Sequence, residues 1–482
     1  MRELRLSLIR QYESAQVGKR RIALNGSDRS QSGTLQTAVE YPHLGSGVSS
    51  ENSSTNAWNW NYNNQNFNNN NKNNNNSVLF VRTTLVREDH AVSLDDLYCA
   101  YEDCRKRKKR KRGAKAFDPY LFHNLCNIRD EINQRRYKLR PSQCFVVKYP
   151  VPREVFCAAF RDRVVQHFIY RELNPCIERL IINDTASCRV GKGTDYAISR
   201  VERFVRRETN DYKDIDDVSY GKLDISGFFM SIDRQLLLDK VLWVVDNVYR
   251  GRFRSVLHYL LPIVILSDVT INAKAISPLK DWDLIPPNKT LFGNSRGLPI
   301  GNITSQLFAN FYLNDIDHFI KSRHKSYERY VDDMVIVDRN ADKISETIRM
   351  VSVKLAEIGM RLNDRKSRVD KVRYGIDFLG VKIRPFYSVL GKKRINRLWY
   401  TSRFFRTVED AYRSCASRKG MLRRYHGKRI AERWYMRLPE SFRENLKMDT
   451  DATFHLIGDK ALPNKNQKRS IRLYTDERRQ TA

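Results

Sequence analysis

At 482 residues with 41% hydrophobic side chains, the chain is long enough for two or three domains with sizeable cores. A formal charge of +32, from 87 Lys and Arg against 55 Asp and Glu, exceeds what solubility needs and points to a polyanionic partner, nucleic acid above all. The longest apolar run, around Leu260 to Leu266, is too short to span a bilayer and is broken by Pro262, so no membrane is expected; a start without a signal-peptide core (MRELRLSLIRQYES) gives a cytoplasmic expectation.

Residues 1–82 are dense in Asn, Ser and Gly, ending in NWNYNNQNFNNNNKNNNNS, and cannot bury enough surface to offset ordering entropy; a disordered arm is expected. From Ser93, the stripe Leu94, Leu97, Tyr98, Tyr101 reads as an amphipathic helix with Ser93 and Asp96 as a capping box. It runs into eight successive cations, Arg105, Lys106, Arg107, Lys108, Lys109, Arg110, Lys111 and Arg112. Their mutual repulsion is relieved by a phosphate backbone, so nucleic-acid contact is expected there. A second helix should start at Asp118 with Pro119 in its first turn and bury Leu121, Leu125, Ile128 and Ile132.

CFVVKYPVPREVFCAAF (144–160) reads as a β-hairpin around Pro150 to Pro152, with Lys148 and Arg153 flanking the turn. RDRVVQHFIYREL then reads as helix, burying Val164, Val165, Phe168 and Ile169. The glycine-rich GKGT that follows lacks the other parts of a P-loop, so no nucleotide triphosphatase is expected. Eight cysteines carry no CxxC spacing and read as reduced thiols.

Two stretches share one grammar. LDISGFFMSID sets Asp224 inside an apolar strand, and YERYVDDMVIVD sets Asp332 and Asp333 against the buried-looking run Met334 to Val337. Paired acids at the edge of a core cost several kcal/mol unless cations compensate. Brought together, Asp224 and Asp332 make a hard oxygen site suited to Mg²⁺, and two such ions about 4 Å apart are the usual device for in-line phosphoryl transfer. Between these stretches, residues 270–295 read as a long ordered loop. GLPIGNITSQLFANFYLNDIDHFIKS reads as an open, glycine-bearing backbone followed by a helix with Phe308, Phe311, Tyr312 and Phe319 on its packed side; Gly301 would let a ligand approach the main chain. A helix near Lys343 to Leu355 leads to LNDRKS and the short strand DFLGVKI. From about 386, RLWYTSRFFR and MLRRYHGKRIAERWY interleave aromatics with cations, which suits a grip on a nucleic-acid duplex as well as it suits a helical core.

In this order LDISGFF, GNITSQ, YVDD, LNDRKS and FLG resemble the palm motifs of reverse transcriptases over roughly residues 90–400. The resemblance implies an α+β right-hand polymerase: a basic helical extension over 83–140, fingers over 141–220, a palm with antiparallel sheet over 221–385 with a fingers insertion around 245–295, a helical thumb over 386–460 and a flexible basic tail over 461–482. It implies catalytic roles for Asp224, Asp332, Asp333 and Lys366, the lysine as general acid toward pyrophosphate. It places two Mg²⁺ ions, with Mn²⁺ the alternative, on Asp224, Asp332, Asp333 and the Ile225 carbonyl. Lys148 and Arg153 would hold the incoming dNTP, Phe229 would act as steric gate, and Ile300, Gly301 and Gln306 would line the nucleotide pocket.

The IGxxxSQ form, with Ile300, Gly301, Ser305 and Gln306 where most of the family have QGxxxSP, is similar to the enzymes of diversity-generating retroelements. That resemblance implies copying of a template-repeat RNA into cDNA with errors at adenines, for diversification of a target gene, with template RNA, cDNA, RNA/DNA duplex and a basic oligomeric accessory protein as partners. Asn codons being adenine-rich, the DNA encoding about residues 52–82 is read as overlapping the template repeat. A retron, group II intron or defence-associated reverse transcriptase is the alternative, and a non-catalytic RNA-binding scaffold on a polymerase fold is the reading from another class.

Overall fold

The computed structural model describes residues 90–457, apart from 107, 109, 149, 150, 403 and 450. The expected arm at 1–82 and tail at 461–482 lie outside the described residues, which all fall in one unit, residues 89–482.

The first helix, Leu94–Arg105, is capped as its sequence dictates: Ser93 accepts from the Asp96 amide, and the Asp96 carboxylate accepts from the Ser93 amide at 3.0 Å. Its apolar stripe packs on the long helix Phe160–Leu180, which buries Val164, Val165, Phe168 and Ile169. The cation run does not continue as one helix. A second helix begins at Arg112, and a 3₁₀ turn at Asp118–Tyr120 carrying Pro119 precedes Leu121–Asn133. That helix buries Leu125, Ile128 and Ile132, whereas Leu121, at its first position, is only half-buried.

Strands β1 (Gln143–Val147) and β2 (Arg153–Cys157) form the expected antiparallel hairpin, with Val147 opposite Arg153. The next strand is β3 (Ser219–Asp224). The segment expected as a plain loop instead adds β4 (Lys274–Ala275), parallel to β1, and the short helix Leu279–Trp282; backbone bonds from Lys274 to Ser142 and from Ile276 to Cys144 hold it there. Sequence periodicity fails on so short a strand because two residues show no alternation.

Next come β5 (Ser326–Tyr330), β6 (Asp333–Asp338) and β7 (Arg368–Lys371), which complete an antiparallel sheet in the order β5-β6-β3-β7. Met334, Val335, Ile336 and Val337 are at most 1% exposed, as an apolar run with no polar alternation requires. The helix Ala341–Glu357 sits directly on β3 at Gly221, where a Cβ would come within 2.5 Å of the Ile344 side chain. The helix Ile303–Tyr312 and its successor Asn314–Arg323 break at Leu313, so Phe319 belongs to a separate helix from Phe308 and Phe311.

Beyond this sheet, β8 (Ile376–Phe378), β9 (Val381–Ile383) and β10 (Ser388–Leu390) form a meander followed by helices between Lys392 and Arg443 and by the hairpin of β11 (Leu446–Met448) and β12 (Phe454–Leu456). Tyr425 and Trp434 are buried in the core these helices share with the sheet, while Tyr400 and Phe404 are exposed. The interleaved aromatics thus divide between core and surface. No described helix is long and apolar enough to cross a membrane.

Candidate active site

Antiparallel pairing of β3 with β6 sets Asp224, the last residue of one strand, opposite Asp333, the first residue of the other. Asp332 lies in the two-residue turn between β5 and β6, so acids more than a hundred positions apart meet at one sheet end. Val331, just before it, has φ of 61°, a left-handed conformation strained for a β-branched residue. Two buried groups hold that strain. Ser187 accepts from the Val331 amide at 3.1 Å, and the Arg329 guanidinium donates to the Val331 carbonyl at 2.9 Å. Arg329 is itself fully buried against Asp317, at 2.7 and 2.6 Å.

Crowding shows in the proton affinities. Burial, then the neighbouring Asp224 and Asp333 carboxylates, push the Asp332 carboxyl up to about 6. Asp333 is raised by burial, against the pull of Lys222, whose ammonium is 3.4 Å from its Oδ1; that oxygen is buried without a hydrogen-bond partner. Lys366 Nζ lies 3.0 and 2.8 Å from the two Asp224 oxygens. Burial pulls its ammonium down, but Asp224, with Asp332 and Asp333 beyond, holds it above the usual lysine range. Asn363 donates to Asp224 Oδ2 at 3.3 Å, and Ile225 follows as a buried residue bridged to Leu362.

Among the described residues no group of three His, Cys, Asp or Glu side chains is spaced to hold a metal ion as it stands. The donor chemistry fits a hard divalent ion all the same. The cluster offers carboxylate oxygens, one of them orphaned, and already draws a side-chain cation onto Asp224.

Of the remaining sequence-predicted residues, Phe229, Ile300 and Gly301 lie along one seam. Phe229 is half-buried edge-to-face with Phe228 at 5.4 Å, and its carbonyl accepts from the Leu298 amide at 2.8 Å. Two residues on, the Ile300 carbonyl accepts from the Phe156 amide at 2.9 Å, tying the turn to β2. Gly301 (φ 124°) is needed here, but for a reason other than ligand approach: a Cβ would lie 2.6 Å from the Phe156 carbonyl. Gln306 is exposed on the first turn of the helix beyond. Arg153 is exposed at the start of β2, whereas the Lys148 ammonium is engaged by Asp281 at 2.7 Å. The cation run is less uniform than its sequence. Arg105 is consumed by a paired contact with Asp118 and Lys106 by Asp103; Arg110, Lys111 and Arg112 are exposed, Lys108 is half-buried, and Arg107 and Lys109 lie outside the described residues.

Residues 152–383 match the family model described as reverse transcriptase (RNA-dependent DNA polymerase), a span that contains all three acids and Lys366. Just under half of the chain is thus similar to a reverse transcriptase domain. Such a domain marks an RNA-directed DNA polymerase, a nucleotidyltransferase of the kind that generally uses divalent metal ions. Among curated proteins, Protein YkfC of Escherichia coli K12 is 22% identical over 309 residues, covering 56% of this chain and 73% of that one. Among solved structures, telomerase from Candida albicans with a fragment of telomeric RNA aligns at 12% identity and a TM-score of 0.36, over 63% of this chain and 57% of that one. Apo telomerase from Candida tropicalis aligns at 12% identity and 0.38, over 62% and 56%. The chain therefore spans little more than half the length of those telomerase chains.

Sequence reasoning missed the supports of the reverse transcriptase centre: Arg329, Asp317, Ser187, Lys222 and Asn363. Arg329 left one signal, a charged residue beside an acid in a strand that pairs with the apolar run Met334 to Val337.

Proposed function

We propose that the protein makes cDNA on an RNA template by two-metal phosphoryl transfer. The observation that carries this reading is the convergence of Asp224, Asp332 and Asp333 at one sheet end with Lys366 on Asp224. Asp224, Asp332, Asp333 and the Ile225 carbonyl would hold two Mg²⁺ ions, or Mn²⁺, which when bound lower the proton affinity of the primer hydroxyl and neutralise charge on the phosphates. The primer 3′-oxygen attacks the α-phosphorus of a dNTP, the new O–P bond forming as the bond to pyrophosphate breaks. Arg153 and Lys148 orient the triphosphate; Lys148 exchanges Asp281 for a phosphate to do so. Phe229 packs where a ribose 2′-hydroxyl would project. Lys366 neutralises Asp224 in the metal-free protein, and once released it donates its proton to the departing pyrophosphate.

Within this activity, the reading is a diversity-generating enzyme that copies a template-repeat RNA with errors at adenines. Its support is the segment Ile300-Gly301 to Ser305-Gln306, which sets an apolar side chain at the position where most relatives bear an amide; an apolar contact discriminates between partners far less than a polar one. A basic oligomeric accessory protein is the partner this class implies, with the helices of 90–135 as candidates for its docking face. A retron, group II intron or defence-associated enzyme shares the same chemistry and differs in its template.

Primer extension on an RNA template with Mg²⁺ tests the activity. Wild type extends the primer and Asp332→Asn does not; a non-catalytic scaffold would yield no cDNA from either. Sequencing the product, with and without the accessory partner, tests the class: errors spread evenly over the four template bases would refute the diversity-generating reading and leave the polymerase standing.

A further inference from the structure

Beside Ser142 and Ala158, which flank the hairpin strands, a cavity of about 730 Å³ opens between the segment 135–142, the helices Phe160–Leu180 and Arg254–Leu266, and the loop 267–272. Two amides line it. Gln166 is 3% exposed, on a helix face otherwise buried through Val164, Val165 and Phe168, and Asn302 is 4% exposed. The Oε1 of Gln166 and the Oδ1 of Asn302 are both buried with no hydrogen-bond partner among the described residues. Asn302 even occupies the N-cap position of the helix Ile303–Tyr312 without making the capping bond that an asparagine there ordinarily makes. A folded protein pairs nearly all its buried polar atoms, so two unpaired amide oxygens on residues that line one cavity single this wall out.

The walls and the rim narrow the choice of ligand. Ile263 and Val264 give an apolar side, and Tyr259 an aromatic one with the Arg135 guanidinium 5.0 Å above its ring. Arg135, Lys138 and Arg140 are exposed at the mouth. Apolar and aromatic walls for a planar ring, amides for its polar edge and cations outside for a phosphate together describe a nucleotide, and the volume lies within the range of small-molecule sites.

We infer that this cavity is a nucleotide-binding site separate from the catalytic centre, in which Gln166 and Asn302 read the base edge and Arg135, Lys138 and Arg140 hold the phosphate. Asn302 adjoins Gly301, which packs on the Phe156 carbonyl, so an occupant bears directly on the seam between β2 and the turn of 297–301. The nucleotide has two possible sources, one unit of a single-stranded RNA or a free nucleotide.

The test is equilibrium binding to the full chain in EDTA, which silences metal-dependent binding at the acids. The probes are the four ribonucleoside 5′-monophosphates and a fluorescent ten-nucleotide RNA. Binding of monophosphates identifies a free-nucleotide site; binding of the RNA alone, weakened by the same substitutions, identifies a base turned out of a strand. In either case Gln166→Leu weakens binding roughly tenfold while melting no lower than wild type, because an unsatisfied amide is replaced by an apolar group of similar size. Should that variant fail to fold, Lys138→Ala on the rim decides: it weakens binding severalfold and lowers the salt dependence by about one counterion. Asp332→Asn keeps the binding, which separates this inference from the polymerase reading. Unchanged affinity in the folded variants, or no binding of any probe, overturns it.

Discussion

Replacing Arg329 by methionine should unfold the palm's support from inside. The guanidinium makes four hydrogen bonds, two to Asp317 at 2.7 and 2.6 Å, one to the Asn310 carbonyl at 2.9 Å and one to the Val331 carbonyl at 2.9 Å. Both charged side chains are 0% exposed. In Arg329→Met, Asp317 keeps only the Tyr327 hydroxyl at 2.7 Å and a long contact to Thr185 at 3.4 Å, so a buried carboxylate loses its counter-charge. Breaking one partner of such a pair costs about 3–5 kcal/mol. Urea unfolding followed by circular dichroism measures this, with the double variant Asp317→Leu/Arg329→Met as the control. The double variant should recover most of the loss, since an apolar pair of similar volume removes the stranded charge instead of leaving it. Primer extension by Arg329→Met should fall even at temperatures where it stays folded, because the Val331 carbonyl next to Asp332 has lost its tether. If Arg329→Met unfolds within about 1 kcal/mol of wild type, the pair is not what holds the turn and the reasoning fails.

Asp332→Asn should stabilise the metal-free protein at pH 7.5 by about 1–3 kcal/mol, at about 1.4 kcal/mol per tenfold change in proton affinity, while abolishing extension. The sign follows from the raised carboxyl: the folded state binds the proton more tightly than the unfolded one, so stability falls as pH rises from about 4 to about 6 and the asparagine removes that loss. Melting curves of both proteins across that window check it. Glu328, 0% exposed with neither oxygen hydrogen-bonded and the Arg200 guanidinium 3.8 Å away, is pushed up to about 9 by burial and then by Asp184, so it is neutral at pH 7. Glu328→Gln should therefore match wild-type stability near pH 5 and exceed it increasingly toward pH 9; parallel melting curves throughout would refute this. Ile300→Gln leaves the main-chain bond to Phe156 intact and should lower misincorporation opposite adenine, which sequencing of cDNA measures; an unchanged spectrum removes Ile300 from the account of fidelity.

Much of the centre was legible because its parts obey local rules. An acid inside an apolar strand and a pair of acids before a buried one, with motif order around them, pointed to Asp224, Asp332 and Asp333 at once, and the capping box at Ser93 and the hairpin about Pro150 to Pro152 followed from nearest neighbours alone. What stayed hidden depends on contacts across long separations. Nothing near Arg329 announces Asp317 on the helix that precedes its strand, and nothing near Gly301 says that the backbone it makes room for is that of Phe156. Lys148 reads as a free cation until Asp281, from a segment taken for loop, comes to meet it. The run of Arg105 to Arg112 misled for the opposite reason: identical charges in sequence meet different neighbours in space.

The tie between the Phe156 amide and the Ile300 carbonyl is reinforced two residues earlier, where the buried Glu154 carboxylate accepts from Thr290 and from the Leu291 amide. The hairpin bearing Lys148 and Arg153 is therefore geared to the turn that bears Ile300. On the proposed reading of Lys148, Arg153 and Ile300, tightening the hold on a triphosphate and reshaping the cradle beneath its base become a single displacement, so a substitution tuned to affect speed should also shift accuracy.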